Sequence, residues 1–282
     1  MESLREFYAC QNEWARAYLG GVSAEHRQRA GELEGLFHDR VRRRILELGS
    51  GGGQMAVALA ERGHQVTGIE RDAGSVANAR TLAAALAGAP ADTTSEELPL
   101  CRHGGRRETP VSRIAQGPSC SGRVAFLEGD FYTVEPPGPF DLVLYLDGFG
   151  IGSDDDQRRL LRRAAGWTTP AGQALIEIYA PWFWAAMAGN RLVIEQAERE
   201  YGFDPRGCRM LDTWWHRHQP GRRVTQSLRC YSPADLDLLL EGTGWRLTDV
   251  VPGGAVDLPN HVYHRRVPLA RAMQYLACLE RT

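Results

Sequence analysis

A glycine-rich turn is the part of this sequence best suited to hold a ligand. Glu47 lies near the end of a short apolar run, and Gly49, Gly51 and Gly53 follow at alternate positions before a helix-like segment. Glycines in such a turn let backbone amides approach a ligand at the positive end of a helix. A dinucleotide-binding fingerprint needs its third glycine where this chain has Gln54. The spacing therefore favours a ligand other than a dinucleotide.

Two acidic residues follow the turn at positions that suit a nucleoside. Glu70 ends the second apolar run, 17 residues after Gly53, where a carboxylate can accept hydrogen bonds from both ribose hydroxyls. Asp130 follows the third run, where a carboxylate can accept a hydrogen bond from an adenine amino group. The turn and the two acids together indicate a ligand that contains a nucleoside.

Alternating strand and helix patterns must position these residues. Such alternation predicts a parallel sheet with crossover helices. A serine followed by acids at Ser153, and a second serine followed by proline at Ser232, each predict the start of a helix. The predicted strands are 45–49, 65–70, 124–127, 140–146, 174–179, 225–231, 245–250 and 262–267, and the other predicted helices are 54–62 and 72–86.

Composition excludes several classes of mechanism. Lysine and arginine together number 33, and every one is arginine, so Schiff-base chemistry and a lysine-containing phosphate loop are excluded. A net charge of -2 argues against a nucleic-acid partner. The first residues lack a signal-peptide pattern, no run is long enough to span a membrane, and the six cysteines form no Cys-x-x-Cys pair. We expect a cytoplasmic protein with reduced thiols and no membrane or metal partner.

The motifs ELGSGGG, GIERD and FLEGDF resemble the class I S-adenosylmethionine-dependent methyltransferases, as do FDLVLYLDGFG and YSPADLDLLLEGTGW. The resemblance covers about residues 40–250 without 88–122. It implies an α/β, Rossmann-like fold with a seven-stranded, mostly parallel sheet and helices on both faces. It also implies an N-terminal helical lid (1–40) and a methyltransferase domain (41–282). Within that domain we expect an insertion (88–122) and an aromatic substrate cap (181–224).

The resemblance also assigns residues to S-adenosylmethionine. The glycines and Glu47 would approach the methionine end, Glu70 the ribose, and Asp130 with Phe131 the adenine. For Tyr8 and Trp14, contact with the sulfonium and plain packing against the sheet remain open alternatives. The full predicted set for the cofactor is Tyr8, Trp14, Glu47, Gly49, Ser50, Gly51, Gly53, Glu70, Arg71, Asp130, Phe131 and Leu146.

Candidates for catalysis and substrate binding follow the later strands. Asp147, His216 and His218 could act as bases, although the two histidines equally fit an ordinary surface. Tyr179, Trp182 and Trp214 are candidates for the substrate pocket. Zinc binding by Cys208 with the two histidines is less favoured, because no fourth ligand appears at a familiar spacing. Gly-Phe-Gly follows Asp147, so the Asn/Asp-Pro-Pro-aromatic element of enzymes that methylate nucleic-acid bases is absent.

The sequence therefore favours methyl transfer to a small, partly apolar molecule, on oxygen, nitrogen or carbon. An all-arginine composition suggests a high-GC bacterial genome and a role in secondary metabolism. Alternatives are a cyclase that releases methylthioadenosine from the same cofactor, an NAD-dependent oxidoreductase, and a binding module without activity. The acceptor and the oligomeric state stay open.

Overall fold

A computed structural model describes residues 2–37, 42–88, 123–258, 260 and 262–282. Apart from Gly88, the predicted insertion (88–122) lies outside the described residues. The helices are α1 Glu2–Ala15, α2 Ala24–Glu34, α3 Gln54–Glu61, α4 Ala73–Gly88, α5 Asp154–Trp167, α6 Pro181–Met187 and α7 Pro233–Leu240, with a 3-10 turn at Leu269–Arg271. The strands are β1 Arg44–Leu48, β2 Gln65–Glu70, β3 Arg123–Glu128, β4 Phe140–Tyr145, β5 Thr168–Tyr179, β6 Arg191–Ile194, β7 Ala197–Asp204, β8 Arg209–His216, β9 Gln219–Arg229, β10 Trp245–Pro252, β11 Ala255–Asp257, β12 Val262–His264 and β13 Gln274–Arg281.

The main sheet has the order β10-β13-β5-β4-β1-β2-β3. Strands β1 to β5 pair in parallel, whereas β13 lies antiparallel between β5 and β10. The carboxyl ends of β4, β1, β2 and β3 therefore meet along one edge. The predicted seven-stranded, mostly parallel α/β fold is confirmed.

Helices cover both faces of this sheet. Residues that alternate along β1 point to opposite sides, so Leu46 packs with α5 and α7 while Ile45 packs with α2 and α3. The strands are apolar on both faces because neither face meets water. Capping boxes at Ser153 and Ser232 begin α5 and α7, each with an aspartate three residues later.

A second sheet, β6-β7-β8-β9, is antiparallel and lies in the segment that precedes α7. Helix α1 packs against β8 and β9, where Phe7, Trp14, Trp214 and Val224 share one apolar cluster. The prediction that 225–231 forms a strand of the main sheet is wrong, because that strand is part of β9 in the second sheet. The alternation of its side chains would be the same in either sheet. The sequence pattern of one strand therefore does not tell which sheet the strand joins.

The prediction that 262–267 forms a strand of the main sheet is also wrong. Residues 262–264 pair with β11 in a short hairpin, and β13 supplies the strand next to β10. The pattern of β13 is nearly continuous in apolar residues, because β13 is buried between two neighbours. No helix in the described part of the chain is long and apolar enough to cross a membrane.

Candidate active site

The glycine turn leads from β1 into α3. Gly49, Gly51 and Gly53 have φ values of 64°, 51° and 83°, in the left-handed region that favours glycine. A Cβ on Gly53 would lie 2.6 Å from the Ala79 Cβ, so this glycine allows close packing of the turn on α4. Gly49 and Gly51 instead line a cavity.

Glu70 connects the glycine turn to the start of α4. Its Oε2 accepts from the Gly51 amide at 2.9 Å, and its Oε1 accepts from the Arg71 and Asp72 amides at 2.7 and 2.8 Å. The carboxylate is thereby fixed at the cavity wall, with lone pairs left for a ligand.

The segment after β3 forms another part of the same wall. The Asp130 Oδ1 accepts from the Tyr132 amide at 2.9 Å. The Phe131 and Tyr132 rings lie 5.0 Å apart, and the Arg159 guanidinium stacks 4.5 Å from the Tyr132 ring centre. An aromatic and acidic surface of this kind suits a flat heterocycle with an exocyclic amino group.

These parts enclose a first cavity of about 300 Å³. It is lined by Tyr8, Tyr18, Gly49, Gly51, Ile69, Glu70, Arg71, Asp72, Ser75, Gly129, Asp130, Phe131, Tyr132, Tyr145, Asp147, Gly148, Ile151, Gly152, Asp156 and Arg159. Because β1, β2 and β3 are neighbours, the glycine turn, Glu70 and Asp130 follow one another across its wall.

Two buried polar atoms beside the turn lack a hydrogen-bond partner within the described residues. Glu47 is buried, and burial, with the neighbouring Glu70 charge, raises its pKa to about 8. Its Oε2 and the Ser50 Oγ make no hydrogen bond within the described residues. Neither side chain lines the first cavity, so both lie behind the turn rather than on its surface.

The N-terminal segment closes over the glycine turn. The Gln54 side chain donates to the Tyr18 carbonyl at 3.2 Å, and Asn12 bonds to Asp72 and Ser75 at 3.2 Å each. A Cβ on Gly52 would lie 1.9 Å from the Tyr18 carbonyl oxygen. The chain between α1 and α2 therefore sits directly on the turn.

A second cavity of about 320 Å³ lies between the main sheet, α1 and the second sheet. It is lined by Tyr8, Gln11, Ala15, Ala17, Tyr18, Asp147, Tyr179, Trp184, Ile194, Arg199, Tyr201, Met210, Asp212, Trp214, Gln226, Met273 and Gln274. Tyr8, Tyr18 and Asp147 line both cavities, so these three side chains form the boundary between them.

Asp147 occupies the loop after β4, in the left-handed region with φ 54°. The Tyr179 hydroxyl donates to the Asp147 Oδ1, and the Asp147 backbone amide donates to the Glu177 carboxylate. The Asp147 side chain is exposed, but desolvation by the elements packed around it raises its pKa above the usual range, although the Tyr179 hydrogen bond opposes the change. A carboxylate held in this way can accept a proton at the cavity boundary.

The second cavity also contains an ion pair that the sequence did not predict. The Arg199 Nε and Nη2 donate to the two Asp212 oxygens at 2.7 Å each, and the Trp214 indole donates to Asp212 at 2.9 Å. Arg199 stacks on Tyr201 and Trp214, with its guanidinium carbon 4.5 and 5.1 Å from the ring centres. The available signal was the acid next to the paired tryptophans, Asp212-Thr-Trp-Trp.

Several predicted site residues lie away from both cavities. His216 packs on Trp14, with 6.3 Å between ring centres, and accepts the His218 amide at 3.2 Å. Trp182 has a buried indole nitrogen without a partner in the described residues. Leu146 packs beside the core cluster that α2 and α3 cover. The structure therefore does not bring the two histidines to the cavity boundary.

A family model described as a methyltransferase domain matches residues 18–250. A search among curated proteins found no significant match by sequence. Solved structures share the fold. The CcbJ methyltransferase from Streptomyces caelestis is 19% identical, with a TM-score of 0.63, and the match covers 95% of this chain and 94% of that chain.

Two other similar structures are lower in identity or in TM-score. An S-adenosylmethionine-dependent methyltransferase from Clostridium acetobutylicum is 13% identical, with a TM-score of 0.61 and 98% of each chain covered. CalS10 from Micromonospora echinaspora, an amino pentose methyltransferase described with S-adenosylmethionine bound, is 18% identical. Its TM-score is 0.50, and the match covers 92% of this chain and 90% of that chain.

Proposed function

The chain belongs to the methyltransferase family whose domain model matches residues 18–250, and we propose that its acceptor is a small molecule bound in the second cavity. S-adenosylmethionine is the methyl donor of this enzyme. The first cavity is the place we propose for the donor.

One observation carries this proposal: the two cavities share a boundary at Tyr8, Tyr18 and Asp147. Methyl transfer is an in-line displacement, so the acceptor atom must reach the methyl group from the side opposite the sulfur. A donor in the first cavity and an acceptor in the second can meet across this boundary.

The residues of the first cavity fit the donor. Gly49 and Gly51 present backbone to the methionine end, Glu70 accepts from the ribose, and Asp130 with Phe131 faces the adenine. The sulfonium, when bound, supplies an activated methyl group and leaves as a neutral thioether. The unpartnered Glu47 Oε2 behind the turn offers an acceptor that a water molecule can connect to the amino group of the donor.

The size and lining of the second cavity support a small acceptor. Its aromatic walls come from both sheets and from α1, and its volume of about 320 Å³ suits a compact, partly apolar molecule. The net charge of -2 supports such an acceptor over a nucleic acid. CalS10, which shares the fold, is described as acting in calicheamicin biosynthesis. We propose a comparable tailoring role, in secondary metabolism in the bacterial cytoplasm.

Two experiments test this function. In calorimetric titration, S-adenosylhomocysteine should bind with a dissociation constant in the micromolar range and NAD should not, whereas the reverse would favour an oxidoreductase. Incubation with S-adenosylmethionine alone distinguishes methyl transfer from the cyclase reaction. Release of methylthioadenosine without an acceptor would favour the cyclase.

A further inference from the structure

The charged residues that line the second cavity give it a net negative charge. Its charged lining residues are Asp147, Arg199 and Asp212. Arg199 and Asp212 neutralise each other through two hydrogen bonds of 2.7 Å, and Trp214 holds Asp212 in place. Asp147 makes no ion pair with any described residue. The cavity therefore carries one carboxylate without a countercharge.

The free oxygen of that carboxylate is open to a ligand. Tyr179 donates to the Asp147 Oδ1, and Oδ2 makes no hydrogen bond within the part of the chain that the structure describes. Gln11 also lines the cavity, and its buried amide oxygen has no partner among the described residues. A ligand that donates hydrogen bonds is the natural complement of these two groups.

Aromatic rings form a large part of the remaining wall. Tyr8, Tyr18, Tyr179, Trp184 and Tyr201 line the second cavity, and Trp184 contacts Tyr179 and Tyr201 at 5.3 and 5.0 Å between ring centres. Ring faces attract a cation, most strongly where water is excluded. Uncompensated negative charge and aromatic faces together select for a positively charged group.

We propose that the acceptor is an amine that enters the second cavity as an ammonium ion and gives one N–H proton to Asp147. This inference rests on the proposed function and names its acceptor class. The freed nitrogen lone pair forms the new N–CH₃ bond while the C–S bond breaks and its electron pair stays on sulfur. The product is the methylated ammonium with neutral S-adenosylhomocysteine, and the proton on Asp147 returns to water.

A hydroxyl acceptor fits this geometry less well. An aliphatic hydroxyl is a far weaker acid than an ammonium ion, so a carboxylate gives little help in removing its proton. A hydroxyl also carries no charge to balance Asp147, and it leaves the aromatic faces without a cation. The same cavity therefore discriminates between two ligands of nearly identical shape.

Binding of a matched pair of probes tests the inference. The enzyme is first saturated with S-adenosylhomocysteine, and 2-phenylethylamine and 2-phenylethanol are then titrated by calorimetry at pH 7.5. We expect the amine to bind at least tenfold more tightly than the alcohol. Asp147→Asn should remove that preference by lowering the affinity for the amine at least tenfold, with little change in the affinity for the alcohol.

Other outcomes contradict the inference in distinct ways. Equal affinities, a preference for the alcohol, no binding of either probe, or an amine preference that survives Asp147→Asn would each overturn the amine assignment. Transfer of a labelled methyl group to the alcohol but not the amine would overturn it and leave the proposed function standing. Failure of S-adenosylhomocysteine to bind would instead overturn the proposed function itself.

Discussion

The Tyr179 hydroxyl donates a hydrogen bond to the Asp147 carboxylate at the boundary between the two cavities. Tyr179 ends β5 and Asp147 follows β4, so neighbouring parallel strands bring the pair together. Glu177, two residues before Tyr179 and on the same side of β5, accepts the Asp147 amide. One strand therefore positions both the backbone and the side chain of the proposed proton acceptor.

Tyr179→Phe should shift the pH dependence of amine binding. Binding of 2-phenylethylamine needs ionised Asp147, so affinity falls as the pH drops through the Asp147 pKa. The lost hydrogen bond to a charged carboxylate, worth about 1.5–3 kcal/mol, should move that fall upward by roughly one to two pH units. Calorimetric titration from pH 4 to 8 measures the shift.

The groups that affect the Asp147 pKa include Tyr179, Arg199 and Asp212. Arg199 and Asp212 are unchanged in Tyr179→Phe. Tyr201→Phe is the matched control, because Tyr201 lines the same cavity without a hydrogen bond from its hydroxyl to a described residue. An unchanged pH profile in Tyr179→Phe, or an equal shift in the control, would exclude this role of the hydrogen bond.

Glu70→Gln should weaken binding of S-adenosylhomocysteine. The carboxylate accepts three backbone amides and is the proposed partner of the ribose, and hydrogen bonds to a charged group contribute about 1.5–3 kcal/mol. We expect an affinity loss of about tenfold to a hundredfold in calorimetric titration. Glu128→Gln serves as control, since Glu128 pairs with Glu70 in the sheet but is exposed. Equal affinities of the two variants would contradict the assignment.

Gly52→Ala should loosen the N-terminal segment. The added Cβ would lie 1.9 Å from the Tyr18 carbonyl, so the segment must move away from the glycine turn. Amide hydrogen exchange in residues 16–23 should then be faster, measured by mass spectrometry. Gly21→Ala should exchange like the wild type, because a Cβ at Gly21 meets no atom within 4 Å. Slow exchange in both variants would show that the turn does not hold the segment.

Glu47→Gln should change how stability depends on pH. Folding raises the pKa of Glu47 from 4.5 to about 8, so the folded state binds the proton more tightly. The contribution of Glu47 to stability is therefore full below pH 4.5 and decreases up to about pH 8, by at most about 1.4 kcal/mol per pH unit.

Urea unfolding at pH 5, 6.5 and 8 measures this effect. Relative to Glu47→Gln, the wild type should lose stability as the pH rises across the series. The exposed Glu128→Gln variant should follow the wild type. If the free energy of unfolding changed with pH equally in the wild type and in Glu47→Gln, the buried and protonated state of Glu47 would be contradicted.

Much of the fold and of the first cavity was predictable, because the relevant signals are local. A short apolar strand followed by glycines predicts the turn, and an acid at the end of the next strand predicts Glu70, since neighbouring parallel strands end at one edge. Asp130 and Asp147 follow strands in the same way. The structure places all of these residues at the first cavity, and their roles there stay predictions.

The second cavity was less predictable, because its residues meet through pairing across an antiparallel sheet. Arg199 lies opposite Trp214 and Tyr201 opposite Asp212, so the ion pair runs diagonally between β7 and β8. Nothing local fixes that register before the strands pair. The His-x-His pattern, by contrast, is a conspicuous local signal, but His216 ends β8, His218 lies in the turn after it, and neither lines either cavity.

A crystal structure with S-adenosylhomocysteine bound would show directly whether the two cavities serve the donor and the acceptor. We expect the ligand to fill the first cavity with its ribose on Glu70 and its sulfur facing Tyr8, Tyr18 and Asp147. The methyl group of the donor would then point into the second cavity. A ligand whose sulfur faces away from this boundary, or one bound outside the first cavity, would contradict the proposed arrangement of donor and acceptor.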